Sequence, residues 1–479
     1  LAAALAVLAP GAARASGLDA PWVTSGASGP TTADAAAVYW NPAALAGVQR
    51  TELMLGGALV LGHVTYTRQR FGTYQTPDTL QFKTPIDPAN VDPARTGAYG
   101  TVSADPFSPI GNLFFALPVL AKKLTLGGGF YVPYAAALDY PPNGAQRWQL
   151  QSAFIVATNV TASAAYQITP ALSVGAGVSY VGGLAEFVKV QDFAGLAEIR
   201  DGFASPNIRQ ENDFGPNAPT EVRELNTLSR RFSFTRGLSN GVTFNAGLAY
   251  SPAPRLKLGL VYQHGASMNY KGKFALDMND PFFTSDLAEQ GLRYKPLVAG
   301  DASLKFSLPK RLTLGAQYAL NDRLTLDGFF SYIFYSDFRA FVVETSSPDL
   351  AQPELGIGER VTVRLPRNWR NTVWAQAGAR YKLSRTLTAT GFVGYQSPAS
   401  PDSTIDTASP DGHRLLGDVG AILALSETMS LSGDFRLQGI LPRTVEPGAD
   451  GKGGSDHDLG NGRYTLLIAA LGGHLKILF

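Results

Sequence analysis

Residues 242–251 read VTFNAGLAYS, and Val242 and Phe244 begin an alternation of apolar residues with small or polar ones. Residues 256–263 and 429–437 repeat this two-residue period. Because successive side chains of a β-strand point to opposite faces of the sheet, each run predicts a strand with one apolar and one polar face. Soluble β-sandwiches and transmembrane β-barrels both contain such strands, so alternation alone leaves both folds open.

The length of several alternating runs favours a barrel. Residues 172–189, 324–341 and 464–479 keep the pattern far beyond the ~5–6 residues of a typical soluble strand. A tilted strand needs about 9–11 residues to cross a bilayer. These runs therefore predict strands that span a membrane.

The composition of the 479 residues excludes several classes of protein. Charged residues make up 16% of the chain, well under the ~25% of ordinary soluble proteins. The net charge of +2 gives no strong field that would recruit nucleic acid. The chain has no cysteine, which excludes disulfide scaffolds and thiolate metal sites. No run of 18 apolar residues is present, so transmembrane helices are not expected.

The first fifteen residues resemble a secretory signal. Residues 1–9 read LAAALAVLA, and Ala13-Arg14-Ala15 follows as a cleavage site with small residues. We predict a signal peptide over residues 1–15 and a mature chain from Ser16, the alternative being an ordinary buried helix. An exported chain with few charges belongs in the periplasm or in the outer membrane.

Four tyrosines each precede a leucine by six positions, with turn-forming residues between them. The pairs are Tyr166 and Leu172, Tyr250 and Leu256, Tyr318 and Leu324, and Tyr381 and Leu387. Each interval predicts a tight hairpin whose tyrosine ends one strand and whose leucine begins the next, both on the apolar face. Tyrosines at one level are typical of the aromatic girdle at a membrane interface, because the ring is amphipathic.

Fourteen strands are predicted, joined by short turns and longer loops in strict alternation, as in outer-membrane barrels. The strands are 51–70, 109–117, 124–139, 148–166, 172–190, 231–251, 255–275, 299–319, 323–342, 369–382, 386–397, 413–425, 428–441 and 462–479. The predicted fold is therefore all-β, a fourteen-stranded antiparallel transmembrane β-barrel over residues 51–479. A closed barrel satisfies every backbone polar group in lipid and leaves no open edge.

The segment before the first strand carries a further motif. Residues 33–46 read ADAAAVYWNPAALA, with Asn41, Pro42 and Ala43 after an aromatic pair. This segment resembles the amino-terminal hatch of the FadL-like family, outer-membrane transporters of long-chain fatty acids and other hydrophobic compounds. The resemblance extends along the chain, for example through residues 126–133 (LGGGFYVP).

The resemblance implies a barrel whose lumen is plugged by residues 16–50 and which lies in the bacterial outer membrane. Extracellular loops would capture the ligand, a pocket in the lumen would bind it, and a gap in the wall would release it sideways into lipid. In the family a kink in the third strand makes this gap. We assign the lateral opening to Pro133, with Gly128 and Gly129 beside it; the alternative is a bulge without function.

The resemblance also implies basic residues that hold a carboxylate head group, and Lys189 and Arg370 are the best matches. The alternation places Trp374 and Arg380 on the inner face as well, so that an aromatic ring could lie beside a cation. The alternative is that these charges form an internal network of salt bridges. Apolar residues in two long loops are the predicted capture site, namely Phe193, Phe282, Phe283 and Leu287. They could equally well hold the loops together.

The sequence therefore predicts uptake of hydrophobic molecules, most of all long-chain fatty acids, by facilitated diffusion through a monomer in contact with outer-membrane lipid. A general porin-like channel and an outer-membrane lipid-hydrolysing enzyme are the alternatives. No catalytic residue, cofactor, metal or nucleic-acid partner is expected, because the five histidines lack zinc-ligand spacing and no G-x-S-x-G motif occurs.

Overall fold

The computed structural model describes residues 19–20, 22–69, 100–120, 123–192, 229–279, 295–351, 353, 358–446, 453–455 and 460–479. After one short helix, α1 (Ala37–Trp40), and a 3-10 helix (Pro42–Gly47), these residues are almost entirely strands. The strands are β1 (Glu52–Arg68), β2 (Gly100–Ala104), β3 (Phe107–Val119), β4 (Leu124–Asp139), β5 (Ser152–Gln167), β6 (Leu172–Asp192), β7 (Ser229–Ala253), β8 (Leu256–Gln263), β9 (Ser267–Asp277), β10 (Leu297–Ser307), β11 (Lys310–Ala319), β12 (Leu324–Phe334), β13 (Ala340–Ser346), β14 (Arg360–Pro366), β15 (Thr372–Lys382), β16 (Leu387–Gln396), β17 (Arg414–Ala424), β18 (Met429–Val445) and β19 (Gly462–Leu478). Three more short 3-10 helices are Tyr335–Asp337, Pro348–Leu350 and Asp402–Thr404.

The strands form one closed antiparallel barrel. Five crossings of the wall are each interrupted once, as β2/β3, β8/β9, β10/β11, β12/β13 and β14/β15, so nineteen strands make fourteen crossings. The barrel closes where β1 pairs with β19, from Glu52 opposite Leu478 to Arg68 opposite Gly462. The predicted fourteen-stranded barrel is confirmed.

Two predicted loops contain strands that the alternation did not indicate. β2 lies in the predicted loop 71–108, and β14 lies in the predicted loop 343–368. Both strands are short. β2 has one large apolar residue, whereas β14 alternates Val361, Val363 and Leu365 with polar residues over only seven positions, fewer than a membrane-spanning run needs. In the described part of the chain, no helix is long and apolar enough to cross a membrane.

The tyrosine and leucine pairs meet across neighbouring strands at one end of the barrel. Each tyrosine of the predicted girdle is exposed on the outer face. Each faces the leucine of the preceding hairpin: Leu124 with Tyr166, Leu172 with Tyr250, Leu256 with Tyr318, and Leu324 with Tyr381. The girdle is therefore continuous across these strands, at the end of the short turns.

A second level of exposed tyrosines lies nearer the long loops. Its members each follow one of the girdle leucines by eight residues, and they are Tyr180, Tyr332 and Tyr395. At a rise of about 3.3 Å per residue and a tilt of about 40°, eight residues span roughly 20 Å along the barrel axis. The outer apolar face thus carries tyrosines at two levels.

Candidate functional site

The amino-terminal segment lies inside the barrel. Trp22 is fully buried, and its indole N–H donates to Asp434 on β18. Side chains of three other strands donate to backbone carbonyl oxygens of the segment. These donors are Asn112 of β3 to Val23 (2.5 Å), Asn245 of β7 to Val38 (3.0 Å) and Gln376 of β15 to Gly26 (3.0 Å). Because these strands lie on different sides of the barrel, only a segment within the bore can reach all of them.

The Asn41-Pro42-Ala43 motif fixes this segment against the wall. Asn41 is fully buried; its side-chain oxygen accepts from Ala43 N, and its amide donates to the carbonyl oxygens of Pro30 (2.9 Å) and Leu248 (3.0 Å). A side chain at Gly175 of β6 would collide with the backbone of the motif, so glycine permits the close approach. The motif therefore both caps the 3-10 helix and joins the segment to β7.

The wall is interrupted between β3 and β4. Their ladder ends at Leu113 opposite Phe130, and residues 131–139 of β4 pair with β5 but with no residue of β3 in the described chain. The register with β5 shifts between Tyr131 and Tyr134, on either side of Pro133. Proline has no N–H to donate to a ladder, which accounts for the break at this position.

The two glycines predicted beside Pro133 lie in the intact part of the wall. Gly128 and Gly129 pair with β3 on one side and with β5 on the other. The ring of Phe115 covers Gly128, whereas Gly129 faces Phe114 and the Val38 side chain of the amino-terminal segment. Of these two glycines, only Gly129 therefore contacts the amino-terminal segment.

The beginning of the described chain occupies the free edge of β4. The Ala20 N–H donates to the Pro133 carbonyl oxygen at 2.8 Å, and Asp19 forms an isolated antiparallel bridge with Tyr134. The Asp19 carboxylate pairs with Arg311 of β11 at 2.6 Å. It also accepts the hydroxyl of Tyr335 at 2.9 Å. The segment thus replaces part of the missing ladder.

Two cavities meet at this point. The first contains about 530 Å³ of atom-free space and the second about 600 Å³, and both are lined by Asp19, Tyr39, Pro133 and Arg311. Burial raises the pKa of the Tyr39 hydroxyl, which therefore stays protonated and able to donate. Rings lining a cavity with a few fixed polar groups are typical of small-molecule sites.

The second cavity carries most of the aromatic and basic character. Trp374, which was predicted to face the lumen, lies there with its ring centroid 6.1 Å from that of Trp40 and 5.4 Å from the Arg311 guanidinium. Arg414 and Arg436 line the same cavity. The structure therefore brings Trp374 together with three arginines.

The other predicted residues lie elsewhere. Lys189 is half-buried on β6 and interacts electrostatically with Asp406 and Arg367. Arg370 has an exposed side chain between β14 and β15. Arg380 forms a two-pronged pair with Asp327, as an internal salt bridge would. The predicted capture residues, Phe193, Phe282, Phe283 and Leu287, lie outside the described residues.

Several site residues were not predicted, namely Asp19, Arg311, Gln396, Arg414 and Gln438. The alternation could have predicted where the two arginines face, since Arg414 precedes the exposed Leu415 and Arg311 precedes the exposed Leu312. Each arginine thus falls on the inner face of its strand. No local pattern marks Asp19, because its partner Arg311 is 292 residues away in the sequence.

A closed antiparallel barrel with tyrosines on its outer apolar face and its amino-terminal segment inside defines an outer-membrane β-barrel protein. The chain belongs to the family described as outer membrane protein transport protein (OMPP1/FadL/TodX), whose sequence profile matches residues 12–438. The protein is thus an outer-membrane transporter of the kind that carries hydrophobic compounds.

Individual relatives are distant in sequence. Outer membrane protein P1 of Haemophilus influenzae strain Rd is 23% identical over 407 residues, which are 83% of this chain and 79% of the relative. The crystal structure of a Pseudomonas aeruginosa FadL homologue aligns with a TM-score of 0.74 at 19% identity, covering 97% of this chain and all of that one. The Pseudomonas putida toluene transporter TodX aligns with a TM-score of 0.63 at 14% identity, covering 94% and 96%.

Proposed function

We propose that the protein takes up long-chain fatty acids by facilitated diffusion and releases them sideways through the wall between β3 and β4. The observation that carries this proposal is the free edge of residues 131–139 on β4, beside cavities that Pro133 itself lines. A ligand bound in either cavity lies next to this stretch, where nine residues of β4 have no partner on β3 in the described chain. The predicted capture residues, Phe193, Phe282, Phe283 and Leu287, would deliver it from outside.

A lateral path suits an apolar ligand on physical grounds. An alkyl chain that leaves through the wall passes from one apolar environment to another, and it avoids the cost of hydration that a water-filled pore would impose. The amino-terminal segment acts as the hatch in this scheme, because its contacts with strands around the bore obstruct a straight aqueous route. This obstruction favours a hydrophobic-compound transporter over a general porin.

Buried arginines favour acids over neutral hydrocarbons as the ligand. Toluene, named for the Pseudomonas relative, has no group that would accept from a guanidinium, whereas a fatty acid carries a carboxylate. Arg311, Arg414 and Arg436 line the second cavity together with Trp40 and Trp374. Lys189 and Arg370, the residues expected from the sequence to hold the head group, stay candidates to be tested beside these.

The proposal is tested with Pro133→Ala in cells that lack other fatty acid transporters. Alanine restores an N–H to β4 and allows the strand to straighten toward β3, so we expect slower uptake of radiolabelled oleate with a folded barrel. Pro366→Ala, at the end of β14 and away from both cavities, is the matched control and should leave uptake unchanged. Equal uptake by Pro133→Ala and the parent would remove the lateral route.

A further inference from the structure

Three neighbouring strands place hydrogen-bond donors side by side on the inner wall. Gln396 of β16 lies opposite Arg414 of β17, and Gln438 of β18 lies opposite Leu416, two residues further along the same face of β17. The three polar side chains are all buried, with Arg414 only 4% exposed. All three line the second cavity, across from Trp40 and Trp374.

These donors have few acceptors. One terminal nitrogen of Arg414, Nη1, donates to Gln396 Oε1 at 3.1 Å. Within the described residues, its Nε and Nη2 have no hydrogen-bond partner, and neither do the amide nitrogens of Gln396 and Gln438. The cluster thus holds four buried nitrogens with unused N–H groups on residues that line one cavity.

Arg414 differs in this respect from the other two arginines of the cavity. Arg311 pairs with Asp19 and Arg436 pairs with Asp418, but Arg414 has no carboxylate within 4.0 Å in the described part of the chain. Asp411, the nearest acid in sequence, attracts Arg414 electrostatically, but its oxygens accept from other groups. Its Oδ2 accepts from the backbone N–H groups of Ala399 and Ser400, and its Oδ1 accepts from that of Gly412.

The unused atoms of Arg414 have the geometry of a carboxylate receptor. Nε and Nη2 lie on one edge of the planar guanidinium, and two parallel N–H groups on such an edge match the two oxygens of a carboxylate. A buried guanidinium that donates to no anion recovers only part of the hydration it has lost, even with the attraction of Asp411 nearby. A function that requires an anion at this place would explain why the arginine is kept there.

We propose that Arg414, with Gln396 and Gln438, binds the carboxylate of an amphipathic acid whose alkyl chain lies against Trp40 and Trp374. This inference rests on the proposed transport of fatty acids and names the group that would select them from neutral hydrocarbons. It locates the head group on the β16–β18 wall, whereas the sequence indicated Lys189 and Arg370.

The test compares palmitate with methyl palmitate, which has the same chain without the charge, by equilibrium dialysis on the purified detergent-solubilised protein. We expect Arg414→Gln to weaken palmitate binding about 10- to 100-fold, since charge-assisted hydrogen bonds are lost, and to change methyl palmitate binding by less than about threefold. Arg364→Gln, at an exposed position of β14, is the matched control and should leave both affinities unchanged.

Two results would overturn the inference. Unchanged palmitate affinity in Arg414→Gln, or a loss seen instead in Lys189→Gln or Arg370→Gln, would place the head group elsewhere while leaving fatty acid binding itself intact.

The failure of the proposed function would look different. A parent protein that binds neither palmitate nor methyl palmitate would contradict fatty acid transport as a whole. If Arg414→Gln failed to assemble, Gln438→Leu would remove one donor without altering the charge, and we expect it to weaken palmitate binding about 3- to 10-fold. Unaltered palmitate binding in that variant would count against the cluster.

Discussion

The β6–β7 seam and the β3–β4 seam use the same amino-terminal segment in opposite ways. β6 and β7 pair from Leu172 opposite Tyr250 to Asp192 opposite Ser229, with one shift of register. β3 and β4 share only seven pairs, which end at Leu113 and Phe130. At the β6–β7 seam the segment packs against two fully paired strands. At the β3–β4 seam its residues form backbone hydrogen bonds with the free edge of β4.

Under the proposed function, the amino-terminal segment therefore has two roles. It obstructs the bore, and it also covers the free edge of β4. The Asn41-Pro42-Ala43 motif contacts the paired wall through Gly175 and Leu248, and these contacts can hold while the seam at β4 changes. Asp19 and Ala20, in contrast, depend on the distorted strand around Pro133. A ligand that leaves through the wall needs only the second set of contacts to part.

Deletion of residues 19–47 has the largest expected effect on this comparison. The variant should still close its barrel through β1 and β19, but its bore would be lined by polar and charged groups such as Asp327 and Arg380. We therefore expect a steady ion current in planar bilayers where the parent conducts little. A folded variant, judged by its heat-dependent mobility on gels, that conducted no better than the parent would show that this segment is not what closes the bore.

Asp19→Ala tests the contacts at the free edge of β4 separately from those that obstruct the bore. The substitution leaves Arg311 buried without its ion pair, and we expect the free energy of unfolding to fall by about 3–5 kcal/mol. Adding Arg311→Met should recover most of this loss. Asp301→Ala is the control, because its pair with Lys273 is largely exposed and should be worth roughly 0–1 kcal/mol. Urea titration in lipid vesicles measures the free energy of unfolding of the two single variants and the double variant. Equal losses of this free energy for Asp19→Ala and Asp301→Ala would contradict the role of Asp19.

Gly175→Val addresses the paired wall and has the smallest expected effect. The new side chain would meet the backbone of Pro42 and Ala43, and overpacking of this kind costs about 1–3 kcal/mol. Gly391→Val, where no heavy atom lies within 4 Å of the added Cβ, should change the unfolding free energy by less than about 0.5 kcal/mol. If both valine variants changed the unfolding free energy equally, close packing of β6 against the Asn41-Pro42-Ala43 motif would be contradicted.

Alternation and girdle spacing predicted most of the wall because each is a local property of one strand or hairpin. They missed the interruptions inside crossings, such as residues 264–266 between β8 and β9. The predicted strand over residues 255–275 ran through this break, since the apolar period continues across it. When a crossing changes its neighbouring strand while apolar and polar residues go on alternating, the sequence pattern does not record the change.

The candidate site was less accessible from the sequence. Alternation could assign Arg311 and Arg414 to the inner face, but it could not show which of them has an acid as a neighbour. That depends on Asp19, which reaches Arg311 only through the folded barrel. Pro133 was recognisable because proline has a fixed effect on a ladder, wherever it occurs in a strand.

The roughly 20 Å between the two tyrosine levels is short compared with the ~30 Å hydrocarbon core of a typical bilayer. Where tyrosines of both levels lie at the headgroups, the lipids that touch this barrel compress, and the thin bacterial outer membrane suits it better than a thicker one. Acyl chains next to the protein would then be shorter and less ordered than those further away. A molecule released at the β3–β4 seam would enter this loosened lipid first.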